Sequence, residues 1–504
     1  MQVHIQASET SFERSLSHIV ALFFEDAKMT FSAGPDDGAD LLVLLSAEER
    51  ESGAAAAAEL TDRRDGSRLS SRNERPVPAG ASEEFRRRQL KQAMSHALLD
   101  VLQRHTGIIQ PWGILTGVRP TKLLHERVRR GVPMEQARRE LAEDYLISER
   151  KIGLMEQIVE RQLTALPDLY NLRREVSIYI GVPFCPTKCA YCTFPAYDIN
   201  GRQGSVNGFL DGLHYEMREI GQWLRRHNVG ITTVYYGGGT PTSITAEEMD
   251  AMYAAMYEYF PGMDRVREVT VEAGRPDTIT PEKLAVLQKW GIDRISINPQ
   301  SYIQETLDLI GRHHTVRETI DKFEMARHAG MDNINMDLII GLPGEGLPEF
   351  EHTLAETAKL LPESLTVHTL SFKRASEMTR HRGEAKYKVA DRDEINRMME
   401  RAVEWTNEFG YLPYYLYRQK NILGNLENVG YAKPGAESLY NILIIEEMQT
   451  IVGLGCGATS KFVHPETGDI TRLANPKEPK AYIDAYQTST EAKIKALETL
   501  FAGN

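Results

Sequence analysis

The stretch "SIYIGVPFCPTKCAYCTFPAY", Ser177 to Tyr197, decides how the rest of the chain is read. An apolar, strand-like run ends in a loop carrying Cys185, Cys189 and Cys192, three of only four cysteines in 504 residues. Glycine, proline and polar residues around them make a loop and not a packed core. The spacing is C-x-x-x-C-x-x-C. Zinc sites usually pair cysteines at short spacing and need four ligands. Here there is no second pair and no local histidine, and Cys456 is the only other thiol. Three thiolates at one strand end suit an iron–sulfur cluster with one iron open to a non-protein ligand.

Outward from this stretch, short β-rich runs recur at 176–182, 232–236, 268–272, 293–298, 333–340 and 365–372. Amphipathic helical segments lie between them, at 208–225, 281–290, 316–329 and 348–361. Strands alternating with helices predict parallel βαβ units with right-handed crossovers. Six repeats are too few for a closed eight-fold barrel. The fold class expected is α/β, an open partial (β/α)6 barrel over residues 171–375 with functional groups at the strands' C-terminal ends. Residues 1–170 read as a separate α+β and helical extension. Strand-like "MQVHIQ" and "DLLVLLS" flank a helix-like "ERSLSHIVALFF", a polar passage at 51–82 reads as a mobile loop or a poorly patterned insert, and helical pattern follows until Pro167. Residues 376–504 read as an α+β region covering the substrate, with a helix at 391–409, a tyrosine-rich strand and a glycine-rich close.

The formal net charge of −12 argues against whole-protein binding to nucleic acid or an acidic membrane. No stretch approaches the roughly 20 apolar residues that span a bilayer, so no membrane insertion is expected. The first residues lack the basic start and apolar run of a signal peptide. Clustered cysteines do not form a disulfide framework, and reduced or metal-bound thiols predict a cytoplasmic protein.

Other strand ends carry chemistry. "VYYGGGTPT" sets Gly238, Gly239 and Thr240 directly after a strand, where glycine admits close backbone approach to a ligand. "EVTVEAG" ends its strand in Glu272, a carboxylate suited to ribose hydroxyls. "RISINPQSY" supplies Gln300, and "LIGRHHT" supplies Arg312, whose planar fork matches a carboxylate. Asp337 sits inside the otherwise apolar "NINMDLIIG", where a charge is costly unless paired or liganded. Cys456, within "GLGCGATS", is expected to pack and not to ligate. A basic run with Arg119, Lys122, Arg127, Arg129 and Arg130 reads as a solvated helix face, or as a contact for an anionic partner.

The cysteine spacing, with Tyr191 before the third cysteine, resembles the radical S-adenosylmethionine (SAM) superfamily. That resemblance implies a [4Fe–4S] cluster on Cys185, Cys189 and Cys192 and SAM as second cofactor. It implies that Gly238, Gly239 and Thr240 hold the SAM amino group, that Glu272 meets the ribose, and that Tyr179, Tyr191, Gln300, Arg312 and Asp337 belong to the cofactor site. No side chain is assigned a catalytic role. Together with "YAKPGAES" and "GLGCGATS", these motifs resemble the oxygen-independent coproporphyrinogen III oxidase group, which includes HemN and HemW. The long N-terminal extension and "YYLYRQKNILGNLENVGYAKPGAES" resemble its HemZ-type branch.

Two departures stand out. Phe194 occupies the position where the HemN branch carries a further cysteine, and Leu439, Tyr440, Asn441, Ile444 and Ile445 replace the histidine and Tyr-Trp pair of the HemW branch. The resemblance implies radical decarboxylation of porphyrinogen propionates to vinyl groups in heme biosynthesis. Its partners would be a porphyrinogen substrate, a reductant protein such as flavodoxin or ferredoxin, and an electron acceptor the sequence does not identify. Arg374 and Arg418 are the expected propionate contacts. Heme carriage without decarboxylation, and radical chemistry on another substrate, are the alternative readings.

Overall fold

The computed structural model describes all residues except 25–26, 33, 35–37, 195, 200–204, 373–375, 382, 420–421 and 503–504. Two units form, Met1–Glu156 and Gln157–Asn504. In the first, β1 (Gln2–Ala7), α1 (Glu13–Ala21), β2 (Lys28–Ser32) and β3 (Leu41–Arg50) are followed by β4 (Gly53–Asp62) and β5 (Arg68–Pro76). The sheet order is β2-β1-β3-β4-β5. The passage expected as a mobile loop is therefore two strands. Alanine is a poor strand former, but β4 pairs with β3 along its whole length, from Leu41 opposite Asp62 to Arg50 opposite Gly53. The small side chains of Ala54, Ala56 and Ala58 are buried in the core that also holds Leu90, Ala93 and Ala97 of α2 (Glu83–Thr106). Ser82 caps α2, its side chain accepting from the Phe85 N–H, and Gly107 ends the helix in the left-handed region. Helices α3 (Thr121–Arg129), α4 (Met134–Tyr145) and α5 (Glu149–Ala165) complete the helical stretch, which stops before Pro167.

The second unit is built on one 11-stranded sheet. Its centre is six parallel strands, β6 (Glu175–Val182), then, after the short pair β7 (Phe184–Cys185) and β8 (Tyr197–Asp198), β9 (Gly230–Gly238), β10 (Glu268–Glu272), β11 (Arg294–Ser296), β12 (Ile334–Ile340) and β13 (Ser364–Thr369). Near-continuous burial along β6, β10 and β12 is the mark of parallel strands covered on both faces. The crossovers carry α6 (Val206–Arg226), α7 (Ala246–Tyr259), α8 (Pro281–Lys289), α9 (Gln304–Leu309), α10 (Val316–His328) and α11 (Leu347–Leu360). Thr245 with Glu248, and Thr315 with Glu318, form capping boxes that start α7 and α10.

The sheet does not stop at the sixth strand. After α12 (Glu377–Arg380) and α13 (Arg392–Glu408), β14 (Leu412–Tyr417) and β15 (Asn428–Ala432) extend it antiparallel beyond β13. Following α14 (Leu439–Glu446), β16 (Ile451–Gly455) runs parallel to β6, and β17 (Thr459–Val463) and β18 (Ile470–Ala474) continue that edge. C-terminal strands thus flank the six-stranded core on both sides. Gly430 is obligatory in this arrangement: a Cβ there would lie 1.9 Å from the Tyr415 ring. A final helix, α15 (Pro479–Phe501), packs on α6.

Candidate active site

Each parallel strand delivers its chemistry at its C-terminal end, and these ends enclose a cavity of about 450 Å³. The β7–β8 ladder, Phe184 opposite Tyr197 and Cys185 opposite Asp198, brackets the cysteine loop. The loop is tied down where Ala190 N–H donates to Ile310 O (2.9 Å) and Thr187 Oγ1 to Gly311 O (3.2 Å). Cys185, Cys189, Cys192, Tyr179, Tyr191, Gly238, Gly239, Thr240, Glu272, Gln300, Arg312 and Asp337 all line this one cavity.

The glycine turn after β9 is stitched to the cysteine strand. Gly239 N–H donates to Val182 O and Thr240 N–H to Phe184 O, both at 2.7 Å. Gly238 has φ +108°, and a Cβ at Gly239 would fall 2.5 Å from Phe184 O. What these glycines admit is thus the backbone of the cysteine strand itself. Thr240 Oγ1 then sits 3.2 Å from Cys185 Sγ. Burial pushes the Cys185 thiol up to about 11, so a bare thiolate there is disfavoured and a cationic group would reverse that.

Two guanidinium groups stand beside Cys189. Arg275 Nη1 donates to Thr187 Oγ1 (3.0 Å), lies 3.8 Å from Cys189 Sγ, and the group is paired with Asp277. Arg312 Nη1 donates to Asn298 O (2.8 Å) and Gly274 O (3.1 Å), while its buried Nε has no partner. Burial opposes the Arg312 charge, but Tyr191 and Cys189 outweigh it and hold its pKa above the usual range.

Tyr235 OH donates to Glu272 Oε1 at 2.6 Å. Burial raises the Glu272 carboxyl to about 7, helped by the neighbouring Asp337 charge and opposed by the Tyr235 bond. Asp337 is also enclosed, yet hydrogen bonds outweigh burial and lower its pKa. Its carboxylate accepts from Asn298 Nδ2 and Asn335 Nδ2, both at 2.9 Å, with His368 Nε2 3.5 Å away. Gln300 holds φ +66°, a conformation rare for a side-chain-bearing residue. It is pinned because its N–H donates to Asp337 O and its carbonyl accepts from Ile339 N–H, each at 3.0 Å.

Tyrosines fill another part of the lining. Tyr235 and Tyr440 stack at 4.3 Å, Tyr179 stacks on both at 6.2 Å, and Tyr415 stacks on Tyr417 at 6.4 Å. Tyr440 is placed by α14, whose first turn is held by Glu268 accepting from Ser438 Oγ, Leu439 N–H and Tyr440 N–H. Sequence reasoning assigned no site role to Tyr235, Arg275, Asn298, His368, Asn428 or Tyr440. Positions near the C-terminal ends of parallel strands could have flagged Tyr235, Arg275, Asn298 and His368, whereas Asn428 opens β15 and Tyr440 lies in the first turn of α14, where no local signal marks a site.

The remaining expectations fall elsewhere. Arg418 is buried, its Nη2 donating to Asn425 Oδ1 at 2.5 Å, and it does not line the cavity, although Gln419 does. Arg374 lies outside the described residues. Cys456 is buried away from the cavity, its thiol donating to Lys477 O at 3.1 Å.

The donor set fits a cluster better than a single ion. Among the described residues, no three His, Cys, Asp or Glu side chains close tightly enough to hold one metal ion. A four-iron cube is ligated at its corners and needs its thiolates spread apart, on one wall, near positive charge. All three cysteines line the cavity, and Arg275 Nη1 lies 3.8 Å from Cys189 Sγ. The unpartnered Arg312 Nε and the buried, unpartnered Ser296 Oγ, both of residues in the cavity lining, suit a polar cosubstrate.

A partial barrel with three thiols after its first strand defines a radical SAM protein, and the model of the radical SAM superfamily matches residues 179–357. The chain is 58% identical over 502 residues, 99% of both chains, to the oxygen-independent coproporphyrinogen-III oxidase-like protein HemZ of Bacillus subtilis (strain 168). It belongs to that HemZ-like family of the radical SAM superfamily. The heme chaperone HemW of the same organism is 29% identical over 338 residues, 65% of this chain and 82% of its own. The solved structure of coproporphyrinogen III oxidase (HemN) from Escherichia coli shares the fold, with a TM-score of 0.50 and 21% identity over 65% of this chain and 73% of its own. Radical SAM proteins use a [4Fe–4S] cluster and SAM, and these are the cofactors of this chain. No helix among the described residues is long and apolar enough to cross a membrane.

Proposed function

We propose that this chain decarboxylates the propionates of coproporphyrinogen III without oxygen, leaving vinyl groups and giving protoporphyrinogen IX. The observation that carries the reading is one cavity whose lining combines three cysteine thiols, a polar shell for a cosubstrate and a stacked tyrosine wall broad enough for a flat ring. The near full-length likeness to a protein named coproporphyrinogen-III oxidase-like supports the same substrate class.

Cys185, Cys189 and Cys192 hold the cluster. A [4Fe–4S] cluster held there would supply the electron for reductive cleavage of SAM to methionine and a 5′-deoxyadenosyl radical. The Gly238–Gly239–Thr240 turn takes the SAM amino group, and Arg312, through its spare Nε, takes the carboxylate. Glu272 faces the ribose, with Tyr235 fixing its orientation; Gln300 and Asp337 close the shell. Tyr179 and Tyr191 pack against the cosubstrate, and the tyrosine wall keeps water from the radical. Each round removes a β-hydrogen atom and carbon dioxide from one propionate, consumes one SAM and passes one electron to an acceptor. A small reductant protein such as flavodoxin or ferredoxin supplies electrons, in a cytoplasm where thiols stay reduced.

The test is anaerobic turnover of reconstituted protein with SAM, reductant, an electron acceptor and coproporphyrinogen III, products read by mass spectrometry. Protoporphyrinogen formed with 5′-deoxyadenosine is expected. Stoichiometric heme uptake without any porphyrinogen conversion would overturn decarboxylation in favour of a carrier.

A further inference from the structure

Across β13, β15 and β14, one row of side chains borders the SAM shell, with His368 Nε2 3.5 Å from Asp337. Tyr417 pairs with Asn428 between β14 and β15. The β13–β15 ladder runs to Val367 opposite Val429, and one step further sets His368 opposite Asn428. All three side chains line the cavity, and Tyr417 OH reaches His368 Nδ1 at 3.3 Å.

Asn428 is the unusual member. It is 1% exposed. Its Oδ1 accepts from the Thr369 N–H at 2.8 Å, which fixes the amide orientation, since a flipped group would set donor against donor. Its Nδ2 is buried with no acceptor. Burying an amide N–H unpaired is costly, so such a group in a cavity wall points to a ligand acceptor.

We propose that Asn428 Nδ2 is a substrate-recognition donor that grips a carboxylate oxygen of the substrate. This rests on the porphyrinogen reading above and adds a neutral contact for one propionate, separate from the residues assigned to SAM. A carboxylate there receives a charge-assisted hydrogen bond from a donor that has no other partner, so its loss is felt strongly.

The test compares coproporphyrin III with its tetramethyl ester, which has the same ring and no free carboxylate. Binding to reconstituted holoprotein with SAM is followed anaerobically by porphyrin fluorescence. Wild type is expected to prefer the acid, and Asn428→Leu to reduce that preference about tenfold. Should Asn428→Leu fail to fold, Asn428→Asp keeps the oxygen that Thr369 needs, removes the donor, and should weaken acid binding more than ester binding. An unaltered acid-to-ester ratio in the variants, or no preference in wild type, would overturn the assignment. The decarboxylation reading fails separately: wild type would show the preference, and lose it in the variants, yet release no protoporphyrinogen.

Discussion

Lys493 of α15 and Glu216 of α6 form an ion pair with both side chains essentially out of solvent, at 1% and 0% exposure. Glu216 also accepts from Gly455 N–H (2.6 Å), Tyr482 OH (2.8 Å) and Asn475 Nδ2 (3.1 Å). The pair thereby fixes the end of β16, whose Gly455 lies opposite Gly181 of β6, the strand that leads into the cysteine loop. Removing one partner of a buried pair costs about 3–5 kcal/mol, because the other charge is left uncompensated. Lys493→Met should fall at the lower end, about 3 kcal/mol, since the carboxylate keeps three donors. Glu216→Gln should cost more, because it leaves a buried ammonium facing a neutral amide. At roughly 2 cal/mol/K of unfolding entropy per residue, a unit of this size loses about 1.5 °C in Tm per kcal/mol, so Lys493→Met should melt about 4 °C early. The assay is differential scanning calorimetry of the apoprotein, with Glu216→Gln/Lys493→Met as the closing corner of the cycle. Burial lowers the Lys493 pKa, so its folded state binds fewer protons than the unfolded chain. The deficit of Glu216→Gln should therefore shrink as pH rises towards the lysine range. A double variant less stable than either single, or a Glu216→Gln deficit that grows with pH, would refute the reasoning.

Serine at Cys185, Cys189 or Cys192 should each lower iron content after anaerobic reconstitution, whereas Cys456→Ser should load iron as wild type does; iron and sulfide analysis decides. Glu272, held at about 7 against 4.5, binds more protons folded than unfolded between those values. Its contribution to apoprotein stability is thus full below about pH 4.5 and lost as pH rises through about 7, so the difference in Tm between wild type and Glu272→Gln should change across that window. Tyr235→Phe removes the bond that lowers the Glu272 pKa and should move the upper edge of the window to higher pH. Gly430→Ala should destabilise by about 1–3 kcal/mol and disturb the cavity wall, since the new methyl group meets the Tyr415 ring; denaturant melts and porphyrin binding report both effects.

The barrel was legible because its signals are local. Six apolar runs separated by amphipathic helices impose βαβ units, and the three cysteines share one loop, so their proximity needs no long-range information. The residues expected for the cofactors also reached one cavity, because parallel strands in register deliver their C-terminal residues to the same end. The strands at 53–76 were not legible: a run of alanines carries no period-2 signal, and it is pairing with β3 and β5 that makes it a strand. The α15 helix was missed as well, its buried Tyr482, Thr490 and Lys493 resembling a solvated helix until α6 covers them.

The amino-acid sequence by itself determined the superfamily, the three-cysteine loop and the barrel's rhythm, since each is written in residue type and short spacing. Tertiary structure alone decided that C-terminal strands flank the barrel on both sides, that Tyr440 stacks on Tyr235 across more than 200 residues of chain, and that Asn428 aims an unpaired amide into the cavity beside His368 and Tyr417. Those facts depend on which strands become neighbours. Strand pairing is set by closure of the whole sheet, and no local window of sequence contains it.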